Sequence, residues 1–444
     1  MTEDRPDRTE TRRTLRDLVL VAGGKMLSMG ALFACAVIAA RVGGGEEATE
    51  FGLYSTAIAT ILILDAIIGS PLDYSAVRFG ALHHDEPARV DRFQAATFRL
   101  KLIIAAVFLA ACAAAGPWIA RRLFEGESRT TLLYLTLAST FALLLVRGTS
   151  ANLQIRSRFI VYSLFDTGIA AVRLALLAAA ALLGAHTAEP LVGVFGASAL
   201  AMFVVFLGVR QPYLRAKWPD RHDARAILRF ITATAGVIVL GTITGKADIP
   251  ILSALTSAHI AGIYAAAAQV AMLATMLAGY ACIVFQPRLI PMARQGKLTR
   301  LIGANLLAGL AIGVLAAPLV IWALPPAMVA VFGQTYADSV PILRILLIGT
   351  WLDILFMPVL MTFAMQTRPV ACLAGEIVIT TAFFAVMPIV SRVNEIDAAI
   401  TLAWIMTAVR VAKMVLYSAV TTVAMRGPLP EPSVAEAEAP AEVT

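Results

Sequence analysis

The sequence predicts an all-α integral membrane protein with about twelve transmembrane helices in two six-helix lobes around a central cavity. Three observations carry this. First, 59% of the 444 residues are hydrophobic and 15% are charged, with a mean hydropathy of +0.81. Soluble domains run near about 45–50% apolar and about 25% charged, so a water-soluble core could not hide this excess. Second, apolar runs approaching or reaching the roughly 20 residues a helix needs to cross a bilayer recur along nearly the whole chain. Third, Lys and Arg alternate between loops as a multi-pass topology requires.

Taken in order, residues 1–17 form a polar tail mixing Arg with Asp, Glu and Thr. No cleavable signal is visible, because the apolar run at 18–40 is too long for a signal core and should act as an uncleaved first span. The first six spans are 18–40, 54–77, 100–119, 132–146, 160–183 and 191–209, giving an N-terminal lobe over 18–209. A basic connector, 210–226, follows. The second six are 227–245, 260–284, 301–324, 340–363, 370–390 and 398–423, giving a C-terminal lobe over 227–423. Residues 424–444, rich in Pro, Ala and Glu, form a disordered tail.

With this assignment about 25 Lys and Arg fall on one side and 5 on the other, the latter being Arg41, Arg121, Arg122, Arg129 and Arg392. The basic side is the cytoplasm, so both termini are expected inside. An error of one span would scramble the asymmetry. Topology therefore explains the basic loops, and no nucleic-acid partner is expected.

A short echo supports two copies of one unit. Gly52-Leu53-Tyr54 opens the second span of the first half, and Gly262-Ile263-Tyr264 opens the second span of the second half. Six is an even number, so both halves enter the membrane in the same direction. They would be related by an axis along the membrane normal, with a cavity at their interface.

Charges at membrane depth carry the functional information, because each is costly unless it faces protein or water. Lys25 lies two turns into the first span and either snorkels to the headgroups or faces a cavity. Asp65 lies mid-way through the second span, with Asp73 eight residues along on roughly the same face. Asp166 and Arg173, seven residues apart in the fifth, share a face and either pair or act separately. Lys246 and Asp248 end the seventh span near the outer interface, as a local pair that closes a gate or fixes a helix end. Arg344 and Asp353 lie in the tenth, with headgroup snorkelling the plain reading for Arg344. Glu376 lies in the eleventh, and Arg410 and Lys413 in the twelfth, where snorkelling is preferred. Pro71, Pro250 and Pro358 should bend or break their helices.

Enzyme motifs are missing from the sequence. There is no phosphate-binding Gly-rich loop ending in Lys-Ser/Thr, no HExxH and no hydrolytic triad pattern. Cys35, Cys112, Cys282 and Cys372 sit in apolar runs without metal-ligand spacing and read as small core residues. His83 and His84 read as part of a solvated turn. No cofactor or metal is expected.

Four stretches resemble a known family. They are Ala40-Arg41-Val42-Gly43 with Glu50-Phe51-Gly52-Leu53-Tyr54; Gly245-Lys246-Ala247-Asp248-Ile249-Pro250 with Ala261-Gly262-Ile263-Tyr264 and the Ala-rich run to Gln269; Phe285-Gln286-Pro287; and Val331-Phe332-Gly333-Gln334-Thr335-Tyr336-Ala337 with Pro341-Ile342-Leu343-Arg344-Ile345-Leu346. Together they look like polysaccharide-biosynthesis flippases of the Wzx type, in the multidrug/oligosaccharidyl-lipid/polysaccharide (MOP) exporter superfamily. The resemblance implies two lobes forming a V, no enzymatic activity, and movement of polyprenyl-pyrophosphate-linked oligosaccharide between leaflets of a bacterial inner membrane. It also implies possible polysaccharide polymerase and glycosyltransferase partners. Family members often carry an acidic-basic pair at the position of Asp248; here Ile249 follows, and Lys246 is the substitute on offer.

The chemistry of such a cargo gives each charge a role. Its tail stays in lipid, while its phosphates need cations and its sugars need polar groups. Lys25, Arg173 and Lys246 are the candidate phosphate contacts. Asp65 and Asp73 are candidates for sugar hydroxyls or a coupling ion, Gln269 for sugar, and Asp248 and Arg344 for a gate or ion pair. Two other readings compete. A cation-coupled multidrug exporter would need an acidic cavity built from Asp65, Asp73, Asp353 and Glu376. A scaffold for glycosyltransferases would leave the cavity charges dispensable.

Overall fold

The computed structural model describes residues 8–43, 48–83, 85–156, 158–208, 211–273, most of 307–365, and 369–425. Every regular element among them is helical. Nine of the described helices are long and apolar enough to cross a membrane.

The first half runs α1 (Arg8–Gly43), α2 (Thr49–Ile68), α3 (Ser70–Leu82), α4 (Pro87–Ala114), α5 (Gly116–Leu123), α6 (Thr130–Ile155), α7 (Phe159–Leu182) and α8 (Ala188–Leu207). A short helix α9 (Pro212–Arg215) sits in the connector, and the second half opens with α10 (Arg221–Lys246), α11 (Asp248–Leu255) and α12 (Ala258–Leu273). Then come α13 (Leu324–Phe332), α14 (Ser339–Met365), α15 (Pro369–Val390) and α16 (Glu395–Met425). The ninth expected span, 301–324, is described only in part, and Cys282, Phe285, Gln286 and Pro287 lie outside the described residues.

Several helix breaks are set by proline. Pro71 and Pro117 occupy the first turns of α3 and α5, where a missing N–H costs nothing because that donor has no intrahelical acceptor. The expected second span is thus two helices broken at Gly69. The seventh is likewise two, α10 and α11, broken at Ala247 with Pro250 in the first turn of α11. α6 ends at Ile155 rather than at 146.

α1 packs along α7 and α6 along α8, while α14 and α15 both pack on α16. α10 bridges the halves, touching α2 and α3 on one side and α15 on the other. Leu164, Leu182, Val204 and Val415 stand exposed on the outside of the bundle, as suits side chains whose solvent is lipid.

At the end opposite the basic connector the two halves meet through their glycines. A Cβ at Gly52 would collide with the carbonyl of Ala258 and lie 2.9 Å from the Gly262 nitrogen. A Cβ at Gly262 would collide with the carbonyl of Ala48 and lie 3.1 Å from the Gly52 nitrogen. The two echoing motifs are therefore in reciprocal contact, as a two-fold relation between halves requires. Around them Phe51 meets Tyr336 edge-on at 5.6 Å and Phe33 meets Phe332 at 5.9 Å. Tyr336 donates its hydroxyl to the Ala40 carbonyl at 3.3 Å. Arg41 donates to the carbonyls of Val331 (2.9 Å) and Ala330. Gly333, at φ 111°, takes a backbone conformation open mainly to glycine.

Candidate functional site

Five helices bring five charges together inside the bundle. Lys25 on α1 donates from Nζ to Asp166 Oδ2 on α7 at 2.7 Å, with the Tyr162 ring 4.9 Å from the ammonium. Arg147 on α6 lies 3.5 Å from Asp65 on α2, Nε to Oδ2. Lys246 on α10 is within electrostatic reach of both Asp65 and Arg147, and Arg147 in turn of Asp166 and Tyr162. Arg147 keeps 48% of its side chain open beside the buried Asp65, so the cluster is accessible rather than sealed. Asp65 is buried, and its Oδ1 has no hydrogen-bond partner; such orphans call for water or a ligand.

Arg173 lies two turns beyond Asp166 on α7. It is buried, with its guanidinium 3.5 Å from the Phe195 ring centroid and its Nε donating to Ser198 Oγ at 3.2 Å. It forms no ion pair among the described residues. A buried guanidinium without a counter-ion is costly, and cation–π contact with one hydrogen bond offsets only part of that. Lys25, Arg147, Lys246 and Arg173 against Asp65 and Asp166 make four cations to two carboxylates, a net +2. The arrangement can hold an anion.

Other sequence expectations resolve differently. Lys25 does not snorkel, and Asp166 pairs with Lys25 rather than Arg173. Lys246 and Asp248 form no pair: the break at Ala247 sends Lys246 toward Asp65, while Asp248 is the first residue of α11. Asp248 accepts from Tyr264 Oη at 2.9 Å and from the Ile249 N–H at 3.0 Å. Nor does Lys246 lie at the end of its membrane passage, because α11 continues eight residues beyond the break. Arg344 is exposed on α14. Gln269 lines only a small gap with Met29, Leu32, Phe33, Met272 and Leu273 at the α1–α12 seam, among apolar neighbours. Asp73, separated from Asp65 by the break at Gly69, bonds Lys101, which is 1% exposed. Arg410 and Lys413 turn inward to Asp353 at 3.2 Å and Glu376 at 3.1 Å. Tyr417 also donates to Glu376, and Arg410 to Thr350 at 3.1 Å.

Arg147 and Lys101 are the charges the sequence analysis did not single out: the expected spans leave Arg147 in the loop just after 132–146 and put Lys101 at the very start of 100–119. Their signal was available. The fourth span, at 132–146, was too short for a bilayer, and continuing its helix to Ile155, about two and a half turns, carries Arg147 inside. Cys35, Cys112 and Cys372 are free thiols; Cys35 is buried in the core, while Cys112 and Cys372 are only partly buried. The described residues contain no cluster of three metal-ligating side chains.

A helical, multi-pass membrane protein with a charged cleft between two lobes is the class these features define. The fold is that of MOP superfamily transporters. A lipid II flippase, MurJ, in an inward closed conformation superposes with a TM-score of 0.69 at 13% identity, over 92% of this chain and 92% of that one. A multidrug resistance MATE family transporter in an inward-facing conformation gives 0.63 at 14%, over 92% and 98%. A MOP superfamily transporter from Pyrococcus furiosus gives 0.62 at 16%, over 93% and 96%. No curated protein matches the sequence. The signature of the family described as "Polysaccharide biosynthesis protein" matches residues 14–292, and the chain belongs to that family.

Proposed function

We propose that the protein is a flippase that carries a polyprenyl-pyrophosphate-linked oligosaccharide from the cytoplasmic to the periplasmic leaflet of the inner membrane for surface polysaccharide synthesis. The observation that carries this is the net positive cleft. A pyrophosphate head cannot cross lipid unaided, and Lys25, Arg147 and Lys246 offer it charge-assisted hydrogen bonds, with Arg173 two turns further along the same face of α7. In this reading Asp65 and Asp166 hold those cations in place between cargoes and release them as the phosphates arrive. The lobes are residues 18–209 and 227–423, joined by the connector 210–226, with both tails in the cytoplasm.

Cation-coupled multidrug export is the weaker reading. Each acid it would rely on already has a basic partner: Asp65 has Arg147, Asp73 has Lys101, Asp353 has Arg410 and Glu376 has Lys413. An acidic cavity for a cationic drug would need those carboxylates unneutralised.

The test is lipid analysis of a strain lacking the gene. Mass spectrometry should find polyprenyl pyrophosphate bearing a completed saccharide unit accumulated in the membrane, with the surface polymer lost. Complementation by Lys25→Ala should fail although the variant reaches the membrane. Unchanged lipid intermediates with an intact polymer, in a strain without a second such transporter, would defeat the proposal.

A further inference from the structure

A second cavity lies away from the charged cleft, at the basic end of the bundle, and it has the makings of a lipid site. Its volume is about 440 Å³. Its walls are the end of α6, the start of α7 and the end of α8, closed by Gln211 and Pro212 at the head of the connector.

The polar floor is built. Asn152 donates from Nδ2 to Gln211 Oε1 at 2.9 Å, and Arg156 donates from Nε to Asn152 Oδ1 at 3.0 Å while its outer nitrogen bonds Asp91. Arg158, at the N-cap of α7, is exposed and has no ion-pair partner among the described residues. Two guanidinium groups against one carboxylate leave a net positive charge there, and the N-terminus of the 24-residue helix α7 adds to it. The rest of the wall is apolar. Val161, Leu164 and Val205 are 48%, 68% and 65% exposed and face outward from the bundle. An occupant must combine an anionic group, set at the level of the helix ends, with a hydrocarbon chain that runs along an outward, lipid-facing surface.

We propose that this cavity binds one anionic phospholipid, its phosphate against Arg158 and Arg156 and one acyl chain along Val161, Leu164 and Val205. Charge complementarity selects the headgroup, and continuity with the lipid-facing surface selects a chain over a free anion or a peptide. The site is independent of the transport reading. It tethers the connector, through Gln211, to the membrane surface.

The experiment uses the full chain purified in detergent. Native mass spectrometry should show one phosphatidylglycerol retained per chain, with phosphatidylcholine retained at least ten-fold less. Arg158→Gln should weaken phosphatidylglycerol retention about ten-fold or more. Phosphatidylglycerol carrying a photoreactive acyl chain should label peptides from the start of α7 and the end of α8 in the unsubstituted protein, a readout that does not depend on a variant folding. Equal retention of the two lipids, equal retention by Arg158→Gln, or labelling confined to other helices overturns the proposal. So does displacement by millimolar inorganic phosphate, which would mean an anion site without a lipid chain.

Discussion

Among single residues, Arg147 and Lys246 carry the most specific expectations. Asp65 is buried with one oxygen already orphaned, so removing Arg147 leaves a carboxylate inside the bundle without its partner. Arg147→Gln should lower thermal stability in detergent by about 1–3 kcal/mol, the usual cost of an unsatisfied buried group. Arg147→Gln with Asp65→Asn should recover that stability while transport stays lost, because the cation itself is needed. Recovery of transport in the double variant would assign the pair a purely structural role. Lys246 makes no hydrogen bond to a carboxylate among the described residues, so Lys246→Gln should leave stability within about 0.5 kcal/mol and still reduce delivery of the lipid-linked cargo at least ten-fold. A transport assay beside a melting curve separates the two effects. The sequence made Lys25, Asp65 and Asp166 legible because each interrupts an apolar run. Their partners were not legible, since nothing in one chain says that residue 25 faces residue 166 or that residue 147 faces residue 65.

Elements show a different division. The helix breaks at Gly69 and Ala247 follow from local rules, and Pro71 and Pro250 announce them. What the breaks do is tertiary. The first puts Asp73 on a separate helix, where it bonds Lys101 while staying within electrostatic reach of Asp65. The second leaves Lys246 inside the passage and turns Asp248 toward Tyr264. Most of the loosely patterned family stretches assemble one object, the seam where the halves meet: Ala40 and Arg41, Phe51 and Gly52, Gly262, and Phe332 through Tyr336. These motifs were thus informative about closure and largely silent about cargo. The seam makes a sharp prediction. Gly52→Val places branched carbons where the Ala258 carbonyl lies, so α2 and α12 must separate. In a background with the other three cysteines replaced by serine, buried Cys35 should be nearly inert to a membrane-impermeant maleimide. Gly52→Val, and independently Gly262→Val, should raise its labelling rate at least several-fold. Unchanged labelling in both would mean the seam tolerates a side chain and does not seal the bundle.

For the whole molecule, the deciding property is the sign of the cleft. Composition and the distribution of Lys and Arg led to the helical two-lobed fold because bilayer solvation constrains them strongly. The sign of an interior is not constrained that way; it depends on which charges turn inward and how they pair. Lys25, Arg147 and Lys246 against Asp65 and Asp166 give three cations to two carboxylates, a net +1 within the cluster. Replacing the three cations by glutamine takes that cluster to −2, and the cleft as a whole, with Arg173 still in place, from +2 to −1. If selectivity follows that sign, the triple variant should stop clearing the saccharide-bearing lipid and should now retain a lipophilic cationic dye that the unsubstituted protein does not. Fluorescence anisotropy on detergent-purified protein reads the gain, and lipid mass spectrometry in the complemented strain reads the loss. The gain is the stronger test, because an unfolded protein can lose transport but cannot acquire a saturable site for a cation. A folded triple variant that still clears the lipid would show that its head crosses elsewhere, and the cleft would then need another occupant.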